Sequence, residues 1–287
     1  MKRLLLTCAA VLAGAVVRAG SPVSEALPFT QIDFSPASLA MASSGVAGIA
    51  PATFGTYNAT AGFGLLNYMP EIDGTFYSFG AGTLRQNDVA ASLAVVRGIG
   101  SKIDGENFTP SELLVNAGVA WRFIPMLSAG INLKYAKEDI LNGYSNSAAA
   151  ADIFLAGVYK DFSFAAGVSD LGGKVGSEST GNFSLPAAVS LAGGWNHSFA
   201  EKHGVRLQAK ADRFFSGAFA AAAGAEYSYG STGFARLGYR YGGESFMPSF
   251  ASAGLGARFE GFAIDASYIF ASKTLGGSLA LGVNYSF

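Results

Sequence analysis

Residues 278–287 alternate without a fault. Leu279, Leu281, Val283, Tyr285 and Phe287 occupy one face of an extended chain, and Ser278, Ala280, Gly282, Asn284 and Ser286 the other. A period of two with one wholly apolar face defines a β-strand buried on one side. That face is too large to meet water, while the other carries only small and polar groups. An aromatic last residue completes the pattern of a strand with lipid outside and a polar lumen inside.

The same alternation recurs along the chain. Val115, Ala117, Val119 and Trp121 oppose Asn116, Gly118, Ala120 and Arg122. Ala235, Leu237, Tyr239 and Tyr241 oppose Arg236, Gly238 and Arg240, and Ile264, Ala266, Tyr268 and Phe270 oppose Asp265 and Ser267. Fourteen strand-like segments follow, near 62–68, 74–83, 88–97, 113–123, 126–136, 149–160, 162–169, 185–197, 204–213, 218–229, 232–241, 249–259, 262–271 and 277–287. Most approach the roughly 9–11 residues that a tilted strand needs to cross a bilayer.

The connections divide into two kinds. Short turns at Ile124-Pro125, Lys160-Asp161 and Glu260-Gly261 fall on one side, and long polar loops at 98–112, 137–148, 170–184 and 242–248 fall on the other. Outer-membrane barrels show this asymmetry, with short periplasmic turns and longer external loops. The expected class is all-β: a 14-stranded antiparallel transmembrane barrel over 62–287, with both termini periplasmic. A two-sheet sandwich would need a lipid-free cover for every apolar face, and the chain is large for one.

Composition agrees. Half of the residues are hydrophobic, 14% are charged and 38 are glycine. Beyond the N-terminus no run is apolar for 18 residues, which excludes spanning helices. Residues 1–19 read as a secretory signal: Lys2 and Arg3 precede an apolar stretch from Leu4 to Val17, and Val17-Arg18-Ala19 offers a cleavage site. Removing it also removes Cys8, the one cysteine, and leaves 16 basic against 20 acidic residues. A net charge of −4 gives no reason to expect a nucleic-acid partner.

Residues 20–61 do not alternate and are rich in Ala, Ser and Gly. Ser35-Pro36 is an N-cap and first-turn pair, so a small helix over 36–43, ended by Ser44-Gly45, is expected inside an N-terminal plug. Leu39, Met41, Gly45 and Asn58 are its candidate packing residues. Alternation sends Lys134, Asp152, Arg206, Lys210, Asp212, Glu226, Arg236, Arg240, Arg258 and Asp265 into the lumen. Their mixed sign suits pairing in a blocked interior better than a pore lined by rings of one charge. These ten are candidates for a structural or a ligand-binding role.

Catalysis finds no constellation. His197 and His203 are the only imidazoles, and neither has a nucleophile or carboxylate at a recognisable spacing. No metal-ligand spacing occurs, and no cofactor is expected.

Ser38-Leu39-Ala40-Met41-Ala42-Ser43-Ser44-Gly45-Val46-Ala47 resembles the ARA-x-AMGGA-x-VA stretch of the PorV/PorQ family, and Leu127 to Tyr135 resembles its LSLGVNLKY strand. Asp152 to Tyr159, Leu185-Pro186, Gly224-Ala225-Glu226-Tyr227 and Phe234 to Tyr239 are similar to further family signatures in the same order. The chain departs from the family where Met41-Ala42-Ser43 replaces Met-Gly-Gly and Asn58-Ala59-Thr60 replaces Asn-Pro-Ala. The resemblance implies a FadL-like barrel with an N-terminal plug, embedded in outer-membrane lipid. It implies an accessory role in type IX secretion, with secretion components or cargo signal domains as partners at the external loops. The alternative it implies is transport of hydrophobic small molecules.

Overall fold

The computed structural model describes residues 25–287 except 51–57, 73, 104, 106, 178–180, 244, 246 and 272–275. The proposed signal, with Cys8, lies outside the described residues, as does part of the plug.

Among the described residues sixteen strands form. Fourteen close into one antiparallel barrel: β1 (Ala59–Tyr68), β2 (Thr75–Gln86), β3 (Val89–Ile99), β4 (Ser111–Ile124), β5 (Leu127–Leu141), β6 (Tyr144–Tyr159), β7 (Phe162–Gly172), β10 (Ala188–Ala200), β11 (His203–Phe214), β12 (Phe219–Tyr229), β13 (Gly233–Tyr241), β14 (Phe250–Phe259), β15 (Phe262–Phe270) and β16 (Gly277–Ser286). The other two, β8 (Lys174–Ser177) and β9 (Gly181–Ser184), pair as a separate hairpin. Closure comes from β16 pairing with β1, where Leu281 faces Leu65 and Val283 faces Phe63, so the barrel has no free edge.

Alternation decides which face each residue takes. Leu93, Val119, Leu133, Ile153, Leu207, Leu237, Leu255 and Ile264 point outward and are exposed. A continuous apolar surface of this kind is stable only against lipid. Aromatic side chains flank it: Trp121, Tyr159, Phe162, Tyr229, Phe259 and Phe287 toward one end, Phe76, Tyr135, Tyr241 and Phe270 toward the other. Such girdles sit where membrane meets water.

The first end is joined by tight turns at 87–88, 125–126, 160–161, 201–202, 230–232 and 260–261. The opposite end carries the longer connections at 69–74, 100–110 and 242–249, together with the β8–β9 hairpin. Residues 137–148, expected as a loop, continue the ladder instead. Lys137 pairs with Ser147, Glu138 with Asn146 and Asp139 with Ser145, and the chain reverses at Asn142-Gly143. Gly143 has φ 81°, and the register shifts between Asp139 and Leu141, the combination of a turn closed by a left-handed glycine and a bulge. Above the lipid both faces of this hairpin meet water, so the apolar alternation stops although the pairing does not.

The plug fills the lumen. It comprises a 3-10 turn at Pro28–Gln31, the α-helix α1 (Pro36–Leu39) and a second 3-10 turn at Val46–Gly48. Ser35 caps α1 and accepts from the Ser38 amide, as its sequence suggests, but the helix stops four residues early. Ala42 and Ser43 both turn left-handed, with φ 55°. The barrel wall holds them there: the Ala42 amide donates to Ser252 Oγ at 3.1 Å, and Ser252 Oγ donates to Ala40 O at 3.1 Å. The barrel begins at Ala59, not 62, which puts Asn58 at the short-turn mouth, where its carbonyl accepts from the Arg85 amide.

The plug descends through the barrel. Leu27, Phe29, Phe34 and Leu39 pack with Leu66, Tyr77, Val96, Leu114, Phe250 and Ile269, near the long-loop end. Val46, Ile49 and Ala50 pack with Ala90, Ala120, Phe154 and Ala165, toward the short turns. The Ala26 amide reaches Ser184 O of β9. The described N-terminal segment therefore starts at the long-loop end, opposite Phe287. The plug threads the lumen before β1 begins, so the two ends of the barrel wall, Ala59 and Phe287, share the short-turn side, and the N-terminus itself lies outside the described residues.

Candidate functional site

The seat of the plug is a patch of missing side chains. Gly224 of β12 pairs with Gly238 of β13, which pairs with Ser252 of β14, so three small residues lie in one row on the lumen side. A Cβ on Gly238 would stand 2.3 Å from the Met41 carbonyl carbon, and one on Gly224 would stand 2.7 Å from the Met41 backbone oxygen. The plug backbone rests directly on the wall at this row. Met41 and Leu39 are buried here, and Gly45 lies against the Gln208 amide.

Around that seat the inward charges gather into three groups. In the first, Lys134 Nζ lies 3.0 Å from Asp152 and 2.9 Å from Asp170, and Asn132 donates to Asp152 at 3.2 Å. Asp170 also accepts from the plug, through Gln31 Nε2 and Thr30 Oγ1, and Gln31 donates to Pro186 O at 3.2 Å. In the second, Asp212 meets Lys210 at 3.1 Å, Arg240 at 3.5 Å and the Ser190 hydroxyl at 2.6 Å. In the third, Arg236 bridges Glu226 at 2.6 Å and Asp265 at 2.5 Å, while Arg206 meets Glu226 at 3.5 Å. Buried charges are tolerated only when paired in this way. Arg258 stands apart: it is exposed at the short-turn mouth, 5.1 Å over the Phe234 ring.

Asp170 is missing from the ten residues that alternation selects, since it falls at the edge of a segment expected to be loop. Strict alternation on β7 would also aim it at lipid, together with Phe164 and Val168. A β-bulge intervenes: Ile153 pairs with Val168 but Ala151 pairs with Leu171, so Ser169 and Asp170 together face Asp152. Asp170 takes φ 53° and turns inward. Its side chain is fully buried.

Between plug and wall lies a cavity of about 310 Å³, at the lower end of the range for small-molecule sites. Its lining mixes the apolar Phe34, Ile49, Phe79, Val96 and Leu114 with the polar Asn116, Asn132 and members of the first two charge groups. Three polar atoms of lining residues, Asn116 Oδ1, Asn132 Oδ1 and Arg240 Nε, are buried without a hydrogen-bond partner among the described residues.

His197 and His203 lie away from this site, on the outward face near the short turns. His197 stacks on Trp195, and His203 Nδ1 is 2.6 Å from the Tyr227 hydroxyl. Among the described residues no three His, Cys, Asp or Glu side chains converge as a metal site.

No protein-family model matches the sequence, and no curated protein matches it. Solved structures do. The toluene transporter TodX of Pseudomonas putida superposes with a TM-score of 0.56 at 12% identity, covering 96% of this chain and 98% of TodX. The fold is that of the TodX barrel. The outer membrane protein Omp33 of Acinetobacter baumannii also resembles it, with a TM-score of 0.50 at 11% identity over 80% of this chain and 98% of Omp33. At these identities the shared property is the barrel fold. The TodX-like architecture of this chain thus comprises a closed wall, a threaded plug and a cavity between them.

Proposed function

We propose that the chain resides in the outer membrane of a Gram-negative cell, short turns toward the periplasm, and passes small amphipathic molecules. The observation that carries this reading is the mixed lining of the cavity. Its apolar residues suit a ring or short chain, and the Asn116 and Asn132 side chains among them suit a hydrogen-bonding head. TodX is named as a toluene transporter, and this cavity differs from a purely hydrocarbon site in its polar lining residues. All fourteen neighbouring strand pairs are bonded, so the route runs past the plug. Accessory work in type IX secretion, with partners at the external loops, rests on the sequence resemblance alone and takes second place.

The test is uptake into liposomes carrying the refolded protein, with toluene and benzyl alcohol as probes. Benzyl alcohol is expected to enter faster than in protein-free liposomes and to lose its advantage over toluene in Asn132→Leu. If neither probe enters faster than in empty vesicles, the transport reading fails.

A further inference from the structure

Among the described residues, the charged side chains of the fourteen barrel strands face the lumen with four exceptions. Arg97, Lys137, Asp139 and Arg213 point outward, and all four lie near the long-loop ends of β3, β5 and β11. The outward rim at that end is thus mainly basic. At the other end the tight turns bring Asp88, Asp161, Glu201 and Glu260 against only Lys160 and Lys202.

We propose that Arg97 and Lys137 form a binding site for the phosphates of an anionic glycolipid in the external leaflet. The inference rests on the outer-membrane placement above, not on transport. Register puts the two cations together: Leu113 of β4 pairs with Arg97 on one side and Lys137 on the other. Their Cα atoms are therefore roughly 10 Å apart across two strand spacings. Ser78 pairs with Arg97 and Ser147 with Lys137, which extends the row with a hydroxyl at each end. The next outward rung toward the short turns is Val95, Val115 and Tyr135, so the cations stand where the apolar belt ends. Lipid phosphates lie at that depth, and each basic side chain near an anionic lipid surface adds to the attraction. Lys137 already meets Asp139 at 2.9 Å. That pair is half-exposed at the rim, where ion pairs are screened, so a phosphate can compete with Asp139 for Lys137. Arg97 presents a planar fork of donors suited to phosphate oxygens.

Native mass spectrometry of the refolded barrel in detergent, titrated with diphosphorylated lipid A and with its dephosphorylated form, tests this. Wild type is expected to prefer the phosphorylated lipid, and Arg97→Ala/Lys137→Ala to bind it roughly 30-fold more weakly. Arg97→Lys/Lys137→Arg should restore binding, and Lys160→Ala/Lys202→Ala at the opposite rim should leave it unchanged. Heat-modifiable gel mobility confirms that each variant folds. Equal affinity in the double alanine variant, or no preference for the phosphorylated lipid, overturns the site. Fractionation of wild type with the outer membrane separates that result from a failure of the placement itself.

Discussion

Asp170 ties the plug to the wall, accepting from Lys134 on β5 and from Thr30 and Gln31 of the plug. Asp170→Asn keeps the shape of the group but removes its charge, while Lys134 retains Asp152. The barrel should fold, with the plug held less firmly. Charge-assisted hydrogen bonds of this kind are worth about 1.5–3 kcal/mol, so maleimide labelling of a buried Ala26→Cys reporter should quicken by about tenfold or more. Cys8, the one native cysteine, lies in the proposed signal and does not interfere. Arg236 presents a different case, because its removal leaves Asp265 buried without an ion-pair partner. Arg236→Met is expected to cost about 3–5 kcal/mol, read as a lower urea midpoint in lipid vesicles.

At the scale of elements, the plug and the wall fit through backbone contact rather than through side chains. Gly238→Val should displace the Met41-Ala42 turn and open the lumen, because no rotamer of the new side chain avoids a Cβ contact of 2.3 Å. Planar-bilayer conductance is expected to rise while strand content by circular dichroism stays the same. Gly193→Val is the control: its Cβ would meet nothing closer than 3.9 Å. The β5–β6 hairpin behaves differently, since its upper rungs pair above the lipid. Excising 137–138 and 146–147 sets the paired Asp139 and Ser145 directly on the paired Ala136 and Ala148, with the register shift and Asn142-Gly143 untouched. With the turn chemistry preserved, stability should change by less than about 1 kcal/mol, as checked by the same urea titration. The small helix shows the reverse dependence. Ser35-Pro36 starts it through local chemistry, but Ser252, more than two hundred residues away, decides where it stops.

The whole molecule is held by its two solvents, lipid outside and a packed, charged interior. Leu255 faces outward in the middle of β14 and is 68% exposed. Leu255→Arg should lower folding stability in a bilayer by about 2–4 kcal/mol, falling toward zero for the same change near a rim; unfolding titrations in vesicles measure both. The fourteen strands were legible in the chain because alternation is local: each residue's face follows from its neighbours' faces. Three things were not. Asp170 entered the site through a bulge that breaks the parity on which alternation relies. The β5–β6 ladder ran on where polar residues hid it. The plug ran from the long-loop end down to β1, which no periodicity encodes. Partners such as Lys134 with Asp170 and Arg236 with Asp265 meet because β-strand register and barrel closure bring distant residues to one height on one wall. Which face of each strand meets lipid follows from the order of successive residues. Which inward groups touch follows from the closed barrel, because contact across a lumen depends on closure.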